Sequence, residues 1–175
     1  MEQVVSQADL STGAGRALVV TASNRASAGV YADKGGPLVA EGLTALGFAV
    51  EGPRVVPDGD PVERELRAAV AAGYDVVVTT GGTGISPTDA TPDATRRVVD
   101  YEVPGIPEAI RAYGTAHGVA TAALSRGLAG VAERTLIVNL PGSSGGVRDG
   151  LAVLAGILPH AVDQLRGGDH PRPAA

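Results

Sequence analysis

The stretch "YDVVVTTGGTGISPTDATPDAT" (74–95) constrains the fold more than any other part of the chain. Residues 74–80 are almost continuously apolar or β-branched and do not alternate with polar ones. A strand of this kind is buried on both faces, as in a parallel sheet covered by helices on two sides. It runs directly into Gly81, Gly82 and Gly84. Glycines at a strand end let backbone amides approach an anion with no Cβ in the way. The plainer alternative is a tight strand-to-helix turn without a ligand. The polar set Thr83, Ser86, Thr88, Asp89 and Thr91 favours a site, because packing alone does not require it. Yet the loop carries Asp89 and Asp93 where a phosphate loop would carry a lysine. Neither G-x-x-x-x-G-K-[ST] nor G-x-G-x-x-G occurs, and the single lysine, Lys34, is remote in sequence.

The remaining elements agree with that first strand. Strands are expected at 16–23, 48–57 and 134–141, with 119–125 leaning the same way. Pro53 marks 48–57 as an edge strand or a bulge. Helices are expected from Gly36 to Leu46, stopped by Gly47, and from Pro61, capped by Asp60, with Val62, Leu66 and Val70 on one face. Others are expected from Thr91-Pro92 to Tyr101, from Pro107 to about Ala116, and from Gly146 to Leu165 with a kink at Pro159. Strands alternating with helices predict an α/β chain: one doubly wound, mostly parallel sheet with helices on both faces. Residues 1–15 read as a flexible N-terminal segment, 16–166 as one domain, and 167–175 as a flexible tail. Ligands of such sheets bind beyond the carboxyl ends of the strands. Attention therefore falls on 23–25, 58, 81–89 and 139–144.

Composition excludes several classes. The 175 residues contain no Cys, so disulfides and thiolate metal sites are ruled out and a reducing, cytoplasmic setting is expected. A net charge of −5 and 3% aromatics argue against nucleic-acid binding. The longest apolar run, "LAVLAGIL" (151–158), is far short of the roughly 18 residues of a spanning helix, and the N-terminus lacks the pattern of a signal peptide. No membrane partner is expected.

The candidate chemistry lies after the strands. Asp58 and Asp89 follow different strands at the same end of the sheet, so they converge. Converging carboxylates repel unless a cation lies between them, and Mg²⁺ on nucleotide phosphates is the usual one. Asp58 also reads as a turn residue in "PDGD", and Asp93 as a complement to a helix dipole. Asn139 either reads a heterocycle edge or ties two loops together. Pro141 and Gly142 form a turn that offers amides and the hydroxyls of Ser143 and Ser144 to an anion. Ser125 and Arg126 suit a phosphate, or form an ordinary surface turn. His117, His160 and His170 show neither catalytic pairing nor metal spacing.

Taken in order, "SNRASAGVYADKGG" (23–36), "VVPDGD" (55–60), "TTGGTGISPTDATPDAT" (79–95), "VPGIPEAIR" (103–111), "LSRGLAGVAERTLIVNLPGS" (124–143) and the closing "GGDH" resemble the molybdenum-cofactor biosynthesis family, most closely its stand-alone Mog type. The resemblance implies a homotrimer with a doubly wound core. It also implies an adenylyl transfer in which the phosphate of molybdopterin attacks the α-phosphorus of MgATP and pyrophosphate leaves. The product would pass to a molybdate-inserting enzyme. The family's two essential aspartates fall on Asp58 and Asp89, which would also hold the Mg²⁺ that enters with ATP. The family's pterin and nucleotide contacts fall on Gly81, Gly82, Thr83, Gly84, Ser125 and Asn139; Ser23, Arg25, Thr88, Pro141, Gly142 and Ser143 join them as substrate- or nucleotide-binding candidates by their positions after strands and in the glycine loop. Asn24 stands where many relatives carry Asp, and "PGSSGGV" replaces a turn that more often contains a further proline. The alternative within the family is a protein that binds molybdopterin or a precursor without chemistry.

Overall fold

A computed structural model describes residues 13–168. The expected flexible segments at 1–15 and 167–175 lie almost wholly outside them. Six strands form one sheet in the order β2-β1-β3-β6-β5-β4. These are β1 (Gly15–Ala22), β2 (Phe48–Val56), β3 (Val76–Thr80), β4 (Tyr101–Glu102), β5 (Ala129–Ala132) and β6 (Thr135–Leu140). The first four in spatial order run parallel; β5 runs antiparallel to β6, and β4, at the edge, runs antiparallel to β5. From β1 the chain goes by two helices to β2 on one side, then by one to β3 on the other side. The carboxyl ends of β1 and β3 therefore flank the switch point where doubly wound sheets open a crevice.

Two apolar layers explain the continuous strands. On one face Ala17, Val19, Val76, Val78 and Val138 pack under Val39 and Leu43 of α2 (Gly35–Ala45). The same layer holds Ile110 of α5 (Gly105–Ala116), Val147 and Leu154 of α6 (Ser144–Ala155) and Val162 of α7 (Leu158–Leu165). On the other face Leu18, Val20, Val77 and Ile137 meet Val62 and Leu66 of α3 (Asp60–Ala71) and Ala94 of α4 (Thr91–Arg96). Both sides of β3 are dry, and none of its five residues is exposed. No helix among the described residues is long and apolar enough to cross a membrane.

The departures from expectation have local causes. Segment 119–125 is no strand: Ala120–Leu124 forms a 3₁₀ turn, and the strand comes later, at β5. "AGVA" carries no periodic signal; its place is fixed by pairing with β6 across a turn in which Glu133 adopts a φ of 53°. The helix expected to reach Tyr101 ends at Arg96, and Tyr101 joins β4. Gly59, not Asp60, caps α3, and Ala90, not Thr91, caps α4. The helix expected over 146–165 breaks at Gly156 and Ile157, and Pro159 occupies the first turn of α7, where its missing N–H has no intrahelical partner to lose. The bulge expected at Pro53 is present as a register shift between β1 and β2, and β2 is an edge strand.

Charged side chains join α3 to the turn after α4. Glu63 accepts from Arg97 Nε at 2.6 Å and from Arg67 Nη2 at 2.8 Å. These two guanidinium groups, Arg97 first, hold its carboxyl below the ordinary 4.5. A carboxyl whose pKa falls on folding adds stability above its unfolded pKa and loses that contribution as pH drops through the folded value. Glu63→Gln is therefore expected to lower the urea midpoint at neutral pH, with the gap from the parent closing as the pH is taken below about 4.5. A gap that stays constant into acid would contradict this account.

Candidate active site

A cleft of about 670 Å³ opens at the carboxyl ends of β1, β2 and β3. Its floor is the loop after β3. Gly81 has φ 93°, and any Cβ there would collide with the carbonyl of Ala22. Gly82 has φ 66°, and a Cβ would overlap the Asp58 carboxylate and the Thr91 hydroxyl. The space these two glycines leave is taken up by neighbouring protein groups. The Gly81 N–H donates to the carbonyl of Leu140 at 3.1 Å, so that amide is already engaged.

Asp58 and Asp89 line the same cleft, as their positions after strands suggested. The Asp58 carboxylate accepts from Gly59 N at 2.7 Å, Thr91 Oγ1 at 2.8 Å and Ala90 N at 3.0 Å. Its own N–H donates to Asn24 Oδ1 at 3.0 Å. An asparagine serves that bond as well as an aspartate, which accounts structurally for Asn24. Asp89 is less occupied: its carboxylate accepts from Ser86 N at 3.2 Å. Ser23 caps α1 (Asn24–Ser27), accepting from Ala26 N at 3.1 Å, and its hydroxyl lies 3.2 Å from that of Tyr31. Arg25, Thr88, Gly142 and Ser143 complete the expected residues of this cleft.

Lys34 lines the cleft too, although its distance in sequence argued against it. It directly precedes α2, whose start is pinned by Asp33. That carboxylate accepts from Thr21 Oγ1 at 2.8 Å and from Gly36 N at 3.0 Å. Gly35 packs so closely that an added Cβ would lie 3.0 Å from Thr80 Oγ1 and 3.4 Å from the Gly142 carbonyl. The fold thus brings the lysine to the glycine loop from another element. The sequence signal was present in "YADKGG", an acid and a lysine just ahead of a glycine-opened helix.

Thr83, Gly84, Ser125 and Pro141 line a second, smaller cavity of about 200 Å³, and Ser143 lines both. Its wall is more apolar, with Ile110, Ala122 and Leu124, and it holds Arg111 and Asp149, which sequence reasoning did not single out. Arg111 Nη1 donates to the carbonyls of Ser125 at 3.3 Å and Gly127 at 3.0 Å.

Asn139 faces neither cavity. It is buried, with Nδ2 donating to Thr79 Oγ1 and Thr95 Oγ1, both at 3.0 Å, and Oδ1 accepting from Leu128 N at 3.2 Å. Of its two sequence readings, the tie between segments is the one realised, and the heterocycle contact has no free amide to make it. Arg126 likewise turns away from both cavities, onto the glycine loop. His117 stacks on Tyr113 with centroids 3.9 Å apart, outside the cavities. Among the described residues no group of three His, Asp or Glu forms a metal cage. Three carboxylates (Asp33, Asp58 and Asp89), two cations and a glycine floor are suited to a polyanion whose charge is shared with a small cation.

A family model for a probable molybdopterin binding domain matches residues 18–160. The molybdopterin adenylyltransferase of Helicobacter pylori strain J99 is 38% identical over 155 residues, covering 85% of this chain and 86% of that protein. A molybdenum cofactor biosynthesis bifunctional protein of Synechococcus elongatus is also 38% identical, over 88% of this chain, but the chain spans only 48% of that protein's length. A solved structure of MogA is 56% identical, with a TM-score of 0.83 over 86% of this chain and 99% of its own. The chain therefore belongs to the molybdopterin-binding domain family of molybdenum-cofactor biosynthesis.

Proposed function

We infer that the chain is a molybdopterin adenylyltransferase, a nucleotidyltransferase that moves AMP from ATP to the terminal phosphate of molybdopterin. The supporting observation is the convergence of Asp58, Asp89 and Lys34 on a glycine-floored cleft that meets a smaller apolar cavity at Ser143. Relatives named for this activity are similar over most of this chain and most of their own length. In the reaction a phosphate oxygen of molybdopterin bonds to the α-phosphorus of ATP, the bond from that phosphorus to the bridging oxygen breaks, and pyrophosphate leaves with the electron pair. Transfer of this kind depends mainly on positioning and charge neutralisation.

The residues divide that work. The larger cleft suits the phosphate chain, with Gly82 letting the Asp58 carboxylate reach the floor and Ser23, Thr88 and Ser143 offering hydroxyls. The smaller cavity suits a planar heterocycle against Ile110 and Leu124, with Thr83 and Ser125 at its polar edge. Arg25 and Lys34 are the cations that face the larger cleft, against the acids Asp33, Asp58 and Asp89. Mg²⁺ fits this donor set. Asp58 has three of its roughly four lone-pair sites in hydrogen bonds, Asp89 has one, and magnesium takes only one or two carboxylates beside phosphate oxygens and water. Asp89 and, through its remaining site, Asp58 would hold it, and the bound ion would draw charge from the phosphate oxygens. A homotrimer, a cytoplasmic setting and delivery of the product to a molybdate-inserting enzyme belong to the same reading.

With Mg²⁺, ATP and molybdopterin, the purified protein is expected to release one pyrophosphate per adenylylated pterin, and Asp89→Asn to abolish both. Binding of the pterin without pyrophosphate would make the protein a holder and sink the enzyme reading. Lys34→Ala is expected to raise the KM for ATP about tenfold, the equivalent of about 1.4 kcal/mol, with little change in the KM for molybdopterin. An unchanged KM for ATP would remove Lys34 from the phosphate site. Light scattering is expected to give three times the 17.4 kDa chain mass; a monomer would count against the trimer.

A further inference from the structure

Arg126 lines neither cavity, yet its donors go to the strip of chain that divides them. Its Nε donates to the carbonyl of Gly84 at 3.0 Å, and Nη2 to the carbonyl of Asp89 at 2.8 Å. Its backbone N–H donates to the carbonyl of Thr83 at 2.7 Å. Gly84 and Asp89 are the two ends of loop 84–89, whose interior residues Ile85 to Thr88 are all exposed. Gly84 borders the smaller cavity; Thr88 and Asp89 border the larger. Apart from contacts between Ser86 and its neighbours Thr88 and Asp89, the loop has little to order it. Holding such a segment in one conformation opposes its backbone entropy.

The arginine is itself anchored. Arg111 from α5 donates to the carbonyls on both sides of it, at Ser125 and Gly127, and the buried Asn139 fixes Leu128. The guanidinium also meets the Asp93 carboxylate at 3.2 Å, with both side chains substantially exposed. Exposed ion pairs contribute little, so the two carbonyl bonds carry the effect. A planar guanidinium spans two acceptors in fixed geometry, which a lysine does not.

We propose that Arg126 is the positioning residue for Asp89: it closes the neck of loop 84–89 and thereby fixes the carboxylate at the phosphate cleft. Its role in turnover rests on the adenylyl-transfer reading; its role in holding the loop does not. Misplacement of a reacting group by about 1 Å can cost on the order of 100-fold in rate. Arg126→Gln is thus expected to lower kcat by about 10- to 100-fold, with the KM for molybdopterin changed less than about threefold. Millimolar guanidinium should restore part of the rate by entering the vacated, exposed position. Asp93→Asn, which removes the ion pair and leaves the carbonyl bonds, should keep kcat near the parent value.

Amide hydrogen exchange read on the unliganded proteins is the second measurement. Exchange at the hydrogen-bonded amides of Ser86, Asp89 and Ala90 should rise at least tenfold in Arg126→Gln while β3 and β6 stay protected. Parent-like exchange in loop 84–89, or a kcat as low in Asp93→Asn as in Arg126→Gln, would overturn the proposal. Should Arg126→Gln fail to fold, Arg126→Lys, which keeps the charge and loses the planar span, must show the same exchange increase. If the parent protein releases no pyrophosphate but loop exchange still rises in the variant, the clamp stands and the adenylyl-transfer reading falls.

Discussion

The carboxylate of Asp58 is the contact on which the site's geometry depends. It leaves the end of β2, and its acceptors draw in the start of α3 through Gly59 and the start of α4 through Ala90 and Thr91. The approach is open only because residue 82 has no side chain. One acid and one glycine thus lock three chain segments around the floor of the cleft. The charge is stabilised by two amides and a hydroxyl, a common arrangement for a partly buried carboxylate. Asp58 consequently has a structural task whether or not a ligand is bound. Asp89, with a single amide partner, has more of its acceptor capacity to offer.

Much of the fold was legible because its signals are local and repeated. β3 and β6 read as continuous apolar runs since both of their faces are covered, and α3 and α5 show apolar positions at helical spacing. The elements that escaped are those defined by partners rather than by pattern. β5 is four small residues, and β4 is two exposed ones, so pairing alone makes them strands. "VATAALS" gave no useful signal because alanine-rich segments suit several backbones, and here Ala120–Leu124 tightens into a 3₁₀ turn.

The site was legible by a different logic. Residues just past a strand end are gathered by topology, and that rule placed Ser23, Asp58, Gly81 and Asp89 in one cleft. It overreached for Asn139, whose amide is consumed by Thr79, Thr95 and Leu128 inside the sheet end. It missed Lys34, which comes before a helix and not after a strand. The puzzle of an acidic loop without a lysine dissolves in three dimensions: cation and glycines come from different elements and meet only when α2 docks beside β3. It also merged two cavities into one set, because Thr83 and Gly82 are adjacent in sequence but look to opposite sides of the loop.

The reversed strand β5, one in from the edge of the sheet, alters which parts of the chain can serve the cleft. In an all-parallel sheet only segments leaving strands arrive at the ligand end; segments entering strands lie at the far side. β5 runs antiparallel to β6, so residues 125–128, which lead into it, emerge beside Asn139 at the ligand end. The connection between α5 and β5 is thereby part of the active-site architecture, not a remote linker. Its length is under tighter restraint than surface loops usually are, since one added residue there would shift the register of Arg126 against the loop it grips.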